Sequence, residues 1–510
     1  MKLPSLLGHS AQLLRLVEQS HRPADAIVSE YFRAKKYIGA KERRFISTLV
    51  FATLRGRSAF AFCVHEALPA IHHEYQALDV SGTDVHKHRQ TSADLLFHEL
   101  ALVTACALIG NYVGVGNIFA SVEEALGVAY TDFEGRMIVI GEAYASRLGI
   151  RADAGIQFVI DVYNTWSSLA EHAEIILASE QFDSAPHQEI LAQRFAIPLW
   201  FLHAWQEGTV GYGDWFAAIE LAASVLAAAP LVLRVNTLAA DRESVLAMLR
   251  RDGINASPGK LSPDAIVINR RVNLTTTNLY KQGIIEIQDE ASQLASFALA
   301  PEAGWRTLDA CAGAGGKALH IGVLQKNQGT IVASDIEYQR LKELPSRAKR
   351  SGLSLISTTH LYDNHTEPYA LPHRLEHLKD ACDAVIVDAP CSGTGTMRRM
   401  PMVKWRLTPE ATQRHARKQL ELLQSFSHAV RDGGVLLYLT CSLMPQENIA
   451  VVQSFLDSHS DFMPDPLFPH LAHYGIILPG LAHDAPWITL TPALHGTDGF
   501  FIARLRKQDS

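Results

Sequence analysis

The strongest constraint on this chain lies between residues 305 and 442, where short apolar runs stop on a carboxylate or a thiol. Leu308-Asp309-Ala310-Cys311, Ile331-Val332-Ala333-Ser334-Asp335, Val385-Ile386-Val387-Asp388 and Val435-Leu436-Leu437-Tyr438-Leu439-Thr440-Cys441 share this form. Runs so short and so continuous read as strands buried on both faces. Helical stretches at 339–351 and 409–431 lie between or beside them, and that alternation predicts a mostly parallel sheet with helices on both faces. Such sheets bind ligands outside the carboxyl ends of their strands. The residues that end the runs are therefore the first candidates for chemistry.

With 510 residues the chain is too long for one ordinary core, and two or three domains are expected. From Ser10 to about Ser184 apolar residues recur at three- and four-residue spacing, as in Ala26-Ile27-Val28-Ser29-Glu30-Tyr31-Phe32 and Phe45-Ile46-Ser47-Thr48-Leu49-Val50-Phe51, so residues 1–190 read as an all-helical domain. Within it, His72 to Ser92 is polar and poor in periodicity and reads as a solvated loop. Its histidines (His72, His73, His86, His88, flanked by His65 and His98) match no metal-ligand spacing. Residues 191–285 form a small α+β unit: Pro230 to Asn236 and Ala265 to Ile268 read as strands, and Asp241 caps a helix that runs to Arg251. Residues 286–510 make up the α/β domain.

Composition excludes several classes. With 48% hydrophobic and 19% charged residues the chain is globular, not disordered. It has no run of apolar residues long enough to span a membrane and no secretion-signal layout at Met1-Lys2-Leu3-Pro4, which predicts a cytoplasmic protein without membrane partners. Six cysteines without a CxxC pair give neither a disulfide framework nor a zinc site, and no metal is expected. A net charge of −7 argues against a generally basic, nucleic-acid-binding surface, so any such contact must be a local patch.

Three segments carry the chemistry. Leu308 to Lys317 runs from a strand end through Gly313, Gly315 and Gly316 into a helix, a turn that lets backbone approach a nucleotide-type ligand. Asp335 ends the next strand, where a carboxylate commonly holds ribose hydroxyls; a helix N-cap explains it equally well. Asp388-Ala389-Pro390-Cys391 and Thr440-Cys441-Ser442 bring a carboxylate and two thiols to neighbouring strand ends. A single such cysteine is usually an inert core residue. Two facing one crevice suggest reactivity.

Together with Gln288-Asp289-Glu290-Ala291-Ser292-Gln293-Leu294 and Asp498-Gly499-Phe500-Phe501-Ile502-Ala503-Arg504, these segments resemble the ordered motif series of the RsmB/Sun (Fmu) family of RNA cytosine-C5 methyltransferases. The resemblance implies a multidomain chain with a NusB-like helical RNA-binding domain, a linking α+β subdomain and a class I, Rossmann-like methyltransferase domain. It implies that Cys311, Ala312, Gly313, Ala314, Gly315, Gly316, Lys317, Asp335, Asp363 and Asp388 surround S-adenosylmethionine. Cys441 is then the nucleophile, and Cys391 assists release of 5-methylcytosine. Family members usually carry proline where Ala314 stands, which leaves this loop less rigid. The family's usual substrate is small-subunit ribosomal RNA, relatives use transfer RNA, and a monomer is expected. In the helical region the resemblance is weak and rests on Lys35-Lys36, Lys41, Arg43-Arg44 and Arg55-Gly56-Arg57.

The residue types suit this chemistry. Carbon 5 of cytosine becomes nucleophilic only once a thiolate has added at carbon 6, and a thiol both ionises near neutrality and leaves readily. Asp388 can hydrogen-bond the amine and ring-nitrogen edge of the base, with Lys317 contacting that edge or orienting Asp388. Arg398-Arg399-Met400-Pro401-Met402-Val403-Lys404-Trp405-Arg406 is cationic, aromatic and free of acids; Arg398, Arg399, Lys404 and Arg406 would hold phosphates and Trp405 would stack a base. The cations from Arg340 to Arg350 read instead as a solvated helix face. Two rivals stay open: a DNA cytosine methyltransferase with Cys391 as nucleophile, and a non-catalytic ribosome-assembly or antitermination factor.

Overall fold

A computed structural model describes the chain apart from residues 68–89, 116–117, 119, 121–132, 209–213, 270–271, 362–368 and 510. The histidines from His72 to His88, and Asp363, lie outside the described residues. Two compact units emerge: residues 1–203, 214–228 and 397–406 form one, and residues 204–213, 229–396 and 407–510 the other.

The first unit is helical: α1 (Leu3–Glu18), α2 (Ala24–Ala34), α3 (Ala40–Arg55), α4 (Arg57–Ala67), α5 (Gln90–Val113), α6 (Phe133–Leu148), α7 (Ala152–Ser179), α8 (Ala185–Arg194), α9 (Leu199–Glu207) and α10 (Trp215–Ser224). The apolar stripe dictates each packing face. In α1 the buried residues Leu3, Leu6, Leu7, Leu14 and Val17 repeat at helical spacing. A Cβ at Gly155 would lie 2.3 Å from the Gly141 carbonyl oxygen, so glycine is what lets α6 and α7 touch backbone to backbone. Helices α9 and α10, which bury apolar faces, fall after residue 190, inside the stretch expected to form the α+β unit. Gln90 to Ser92, expected in the loop, begin α5.

The second unit opens with a four-stranded antiparallel sheet in the order β2 (Ala256–Pro258), β3 (Ala265–Ile268), β1 (Leu231–Val235), β4 (Ile285–Ile287). It packs on α11 (Arg242–Arg251), whose N-terminus Asp241 caps by accepting from Ser244 N at 2.8 Å. After α12 (Glu290–Leu299) come β5 (Arg306–Asp309), α13 (Gly316–Leu324), β6 (Thr330–Asp335), α14 (Leu344–Arg350), β7 (Ile356–His360), β8 (Cys382–Asp388), α15 (Pro409–Ser427), β9 (Val430–Thr440), α16 (Ile449–Ser458), β10 (Phe462–Pro464), β11 (Trp487–Leu490) and β12 (Phe500–Lys507). The main sheet runs β10-β12-β9-β8-β5-β6-β7, with β11 on β12. Strands β5 to β9 pair in parallel and β12 closes the edge antiparallel.

From β5 the chain moves outward through β6 and β7, then returns to place β8 on the other side of β5. This reversal opens a crevice at the carboxyl ends of β5 and β8. The apolar residues of these strands are buried on both sides, in separate clusters under the two helical layers. No described helix is long and apolar enough to cross a membrane.

Candidate active site

The Gly-rich turn after β5 lines one side of the crevice. Gly313 and Gly315 have φ of 53° and 82°, the left-handed region that glycine occupies without a Cβ penalty. Nothing lies within 4 Å of a Cβ built on Gly313, whereas one on Gly315 would meet Leu344 at 2.2 Å. The turn thus closes tightly against α14 while one peptide stays open to a ligand. Ala314 does not leave it loose, because its carbonyl accepts from Arg347 Nη1 at 2.5 Å and the Gly316 carbonyl accepts from Arg234 Nη1 at 2.7 Å. Asp335, at the end of β6, accepts from Gly313 N at 2.7 Å and from Glu337 N at 2.6 Å. It is both an anchor for the turn and a cap for the residues that follow.

Asp309, at the end of β5, was given no role by sequence. It is buried, and neither carboxylate oxygen makes a well-formed hydrogen bond, the Ala318 backbone N–H giving only a weak contact. Burial, opposed by Lys317 and reinforced by Asp388 and Asp335, pushes its pKa up to about 7. A buried carboxyl without a strong donor beside an open glycine peptide suits a ligand that brings donors or positive charge. Cys311 is different: burial and then the surrounding carboxylates raise its thiol well above the ordinary range, so it forms an apolar wall.

Lys317 and Asp388 pair across the crevice at 2.6 Å between Nζ and Oδ2. Burial works against the ammonium, but Asp388, Asp309 and Cys441 outweigh it and the Lys317 pKa is raised. Lys317 Nζ also lies 5.1 Å from the centre of the Phe500 ring. Lys317 is therefore a fixed cation inside the site, not a surface residue.

The two thiols meet. Cys391 Sγ and Cys441 Sγ are 3.3 Å apart, brought together by the β8–β9 register, in which Asp388 pairs with Leu439. The hydrogen bond with Cys441, then burial, then the charges of Cys441 and Glu447 raise the Cys391 pKa well above its ordinary value. Cys391 thus holds its proton, and its Sγ lies within hydrogen-bonding reach of the Cys441 sulfur. Gly395 N donates to the Cys441 carbonyl and Gly499 N to the Gly395 carbonyl, both at 2.9 Å. A Cβ on Gly395 would fall 1.9 Å from Gly499 O, and one on Gly499 would fall 2.6 Å from the Gly395 Cα, so both positions need glycine.

Glu447 is the second residue that sequence reasoning missed. Fully buried, its carboxylate accepts from Ser392 N at 2.8 Å, Gln419 Nε2 at 2.9 Å, Ser442 Oγ at 2.5 Å and Ser392 Oγ. Ser392 follows Cys391 and Ser442 follows Cys441, so one carboxylate ties both cysteine loops. In the sequence it stands in Pro445-Gln446-Glu447-Asn448, which resembles any polar surface turn.

The cationic strip after Cys391 departs from expectation. Lys404 is buried, and its Nζ donates to the Arg55 and Ala196 carbonyls at 2.7 and 2.6 Å. Trp405 Nε1 donates to the Leu54 carbonyl at 2.7 Å, and Arg406 Nη2 to the Val17 carbonyl at 2.9 Å and the Ser20 carbonyl. These three residues satisfy helix-end carbonyls of the helical unit, which buries Lys404 and half-buries Trp405 and leaves only Arg406 exposed. Arg398 donates to the Ala228 carbonyl at 3.3 Å and Arg399 is half-buried. In the other stretch, Arg347 and Arg350 pair with buried Glu286 and so do more than coat a solvated face. No group of metal ligands occurs among the described residues.

Comparison with known proteins places this geometry. Residues 296–506 match a family model described as 16S rRNA methyltransferase RsmB/F, and residues 197–275 match the ferredoxin-like domain described for RsmF/B-like methyltransferases. The probable ribosomal RNA small subunit methyltransferase B of Bacillus subtilis is 34% identical over 321 residues, 62% of this chain and 68% of that protein. The mouse 28S rRNA (cytosine-C(5))-methyltransferase is 34% identical over 289 residues, 54% of this chain but only 35% of that protein. A crystal structure of a methyltransferase homolog protein from Pyrococcus horikoshii superposes with a TM-score of 0.52 at 27% identity, over 64% of this chain and all of that one.

Proposed function

The chain belongs to the 16S rRNA methyltransferase RsmB/F family, and from that premise we propose that it methylates carbon 5 of a cytosine in small-subunit ribosomal RNA through a covalent bond to Cys441. The observation that carries this reading is the Cys391–Cys441 pair at 3.3 Å beside the Lys317–Asp388 ion pair. Turn residues 311–317 with Asp335 hold S-adenosylmethionine, and Asp309 faces its positive charge. The cofactor, when bound, supplies an electrophilic methyl group.

The protein's residues do the rest. Cys441, as a thiolate receiving a hydrogen bond from the Cys391 thiol, adds to carbon 6 and forms the S–C6 bond. Asp388 accepts from the exocyclic amine of cytosine, and the adjacent Lys317 ammonium supplies a proton towards ring nitrogen 3 as charge builds there. Carbon 5 then takes the methyl group. Cys391 then loses its proton to solvent and, as a thiolate, removes the proton from carbon 5. The S–C6 bond breaks as the proton on ring nitrogen 3 returns to Lys317, Cys441 leaves as a thiolate, and Cys391 is again a thiol. The target base must leave any stack to reach this half-buried pair, which favours single-stranded or locally opened RNA.

The test is transfer of labelled methyl groups from S-adenosylmethionine into small-subunit ribosomal RNA, transfer RNA and DNA, each digested to nucleosides. Label in 5-methylcytidine from ribosomal RNA is the expected result. Label confined to transfer RNA or to DNA overturns the substrate, and no transfer to any of the three overturns the activity.

A further inference from the structure

The small antiparallel sheet reaches the glycine-rich turn through buried charge. Strands β1 and β4 set Arg234 and Glu286 opposite one another in register, and both side chains are buried. Glu286 also pairs with Arg347 Nη2 at 2.8 Å and with Arg350, whose guanidinium lies 4.3 Å from the centre of the Tyr280 ring. Three cations therefore gather at one carboxylate. Burial lowers the Arg234 pKa to about 10; Glu286, then Asp264, oppose the shift and Arg347 adds to it.

Two of these cations hold the turn itself. Arg347 gives Nη2 to Glu286 and Nη1 to the Ala314 carbonyl at 2.5 Å, while Arg234 Nη1 donates to the Gly316 carbonyl at 2.7 Å. A peptide unit is planar, so a carbonyl fixed on one side also fixes the N–H of the next residue. Those N–H groups belong to Gly315, which donates to the Ala312 carbonyl at 2.8 Å, and to Lys317, in the first turn of α13. The small sheet also grips the far end of α14. Asn236 Nδ2 donates to the Gly283 and Ser351 carbonyls at 2.9 and 3.0 Å, and a Cβ on Gly283 would fall 2.2 Å from the Arg350 carbonyl oxygen. The helix that carries Arg347 and Arg350 is thereby fixed to the sheet that carries Arg234 and Glu286.

We propose that Glu286 is a positioning residue for S-adenosylmethionine: its charge holds Arg347 and Arg234 together, and these set the Ala314 and Gly316 carbonyls of the turn. Without that charge the two guanidiniums are like charges in a buried place. They move apart, and the carbonyls they hold lose their fixed direction. Glu286 thus acts through the arginines and not on the reacting atoms. The assignment rests on the reading that residues 311–317 and Asp335 hold the cofactor, and it gives the linking subdomain a part in cofactor affinity.

Calorimetry of the full chain with S-adenosylmethionine, in the absence of RNA, tests this. Glu286→Gln keeps the shape and removes the charge; it is expected to weaken binding about tenfold, in line with the loss of charge-assisted hydrogen bonds, at unchanged stoichiometry. Arg347→Met, at a less buried position, should weaken binding to a similar degree, and Arg347→Lys should recover part of the loss. When Glu286→Gln and Arg347→Met are combined, the loss should be smaller than the product of the two single losses, because both changes release the same carbonyl. Wild-type affinity with a lowered stoichiometry means that the carboxylate only braces the fold, and overturns the proposal; so does a double variant that shows the full product. If Glu286→Gln does not fold, the two Arg347 variants decide. Asp335→Asn separates this claim from the reading beneath it. Weakened binding there beside wild-type affinity in the Glu286 and Arg347 variants overturns the positioning role alone, whereas wild-type affinity in all of them overturns the cofactor reading as well.

Discussion

Cys391 and Cys441 are the same side chain in two settings, and the difference comes from what surrounds each sulfur. Cys391 faces Cys441, its own burial and the Glu447 charge, all of which favour the thiol. Removing Cys441 in Cys441→Ala should abolish methylation, and Cys391→Ala should accumulate a protein–RNA adduct that survives a denaturing gel; turnover by Cys441→Ala contradicts the assignment. Glu447→Gln removes one charge while keeping the shape of the clamp. Its pKa effect has a definite sign: with less negative charge nearby, the Cys391 thiol ionises at lower pH. Alkylation of Cys391 by iodoacetamide, followed by peptide mass spectrometry, should begin at lower pH in the variant, and an unchanged profile would show that the carboxylate acts only as a brace. Asp309 provides a further test. Its folded pKa of about 7 lies above the ordinary 3.8, so the folded protein binds the extra proton and its stability falls as pH rises through that interval. Asp309→Asn should remove this loss, raising the melting temperature of the cofactor-free protein above pH 7, while calorimetry records weaker binding of S-adenosylmethionine.

At the scale of elements, the short helix Met402–Arg406 belongs with the helical unit although the chain on either side of 397–406 belongs to the α/β unit. Lys404 is its centre. Burial, then Arg55, lowers the Lys404 pKa from 10.5 to about 7. Between those values the unfolded chain binds more protons, so stability rises with pH across that window. In Lys404→Met this rise should be absent, as read from urea midpoints of the two proteins over the same pH range; parallel pH profiles would mean that the ammonium stays charged throughout. The same element shows where a sequence pattern misleads. Four cations and a tryptophan without an acid read as a nucleic-acid strip, yet Lys404, Trp405 and Arg406 are hydrogen-bond donors to helix-end carbonyls. Composition reports which groups are present and not which acceptors the fold brings to them.

Across the whole molecule, what was legible followed periodicity and punctuation. The strands ending at Asp309, Asp335, Asp388 and Thr440 could be read because buried parallel strands are continuous apolar runs that stop where the crevice begins. The capped helix after Asp241 and the antiparallel sheet around it were legible for similar reasons. Long-range partners were not. Nothing local to Glu447 indicates that Ser392 and Gln419 converge on it, and nothing local to Asp309 indicates that its carboxyl is left without a strong donor. Helices α9 and α10 were not legible, because the short apolar windows after residue 197 read as a change of texture and not as helix. Membership of the RsmB/F family accounts for the sheet and the crevice, whereas the covalent step remains the claim that decides the mechanism. The most direct test of it is mass spectrometry of the nuclease- and protease-digested adduct formed by the Cys391→Ala protein with RNA and S-adenosylmethionine. A methylated cytidine attached to the peptide that carries Cys441 is the predicted result; a nucleotide attached to any other residue, or an unmodified peptide alongside full methylation, would contradict it.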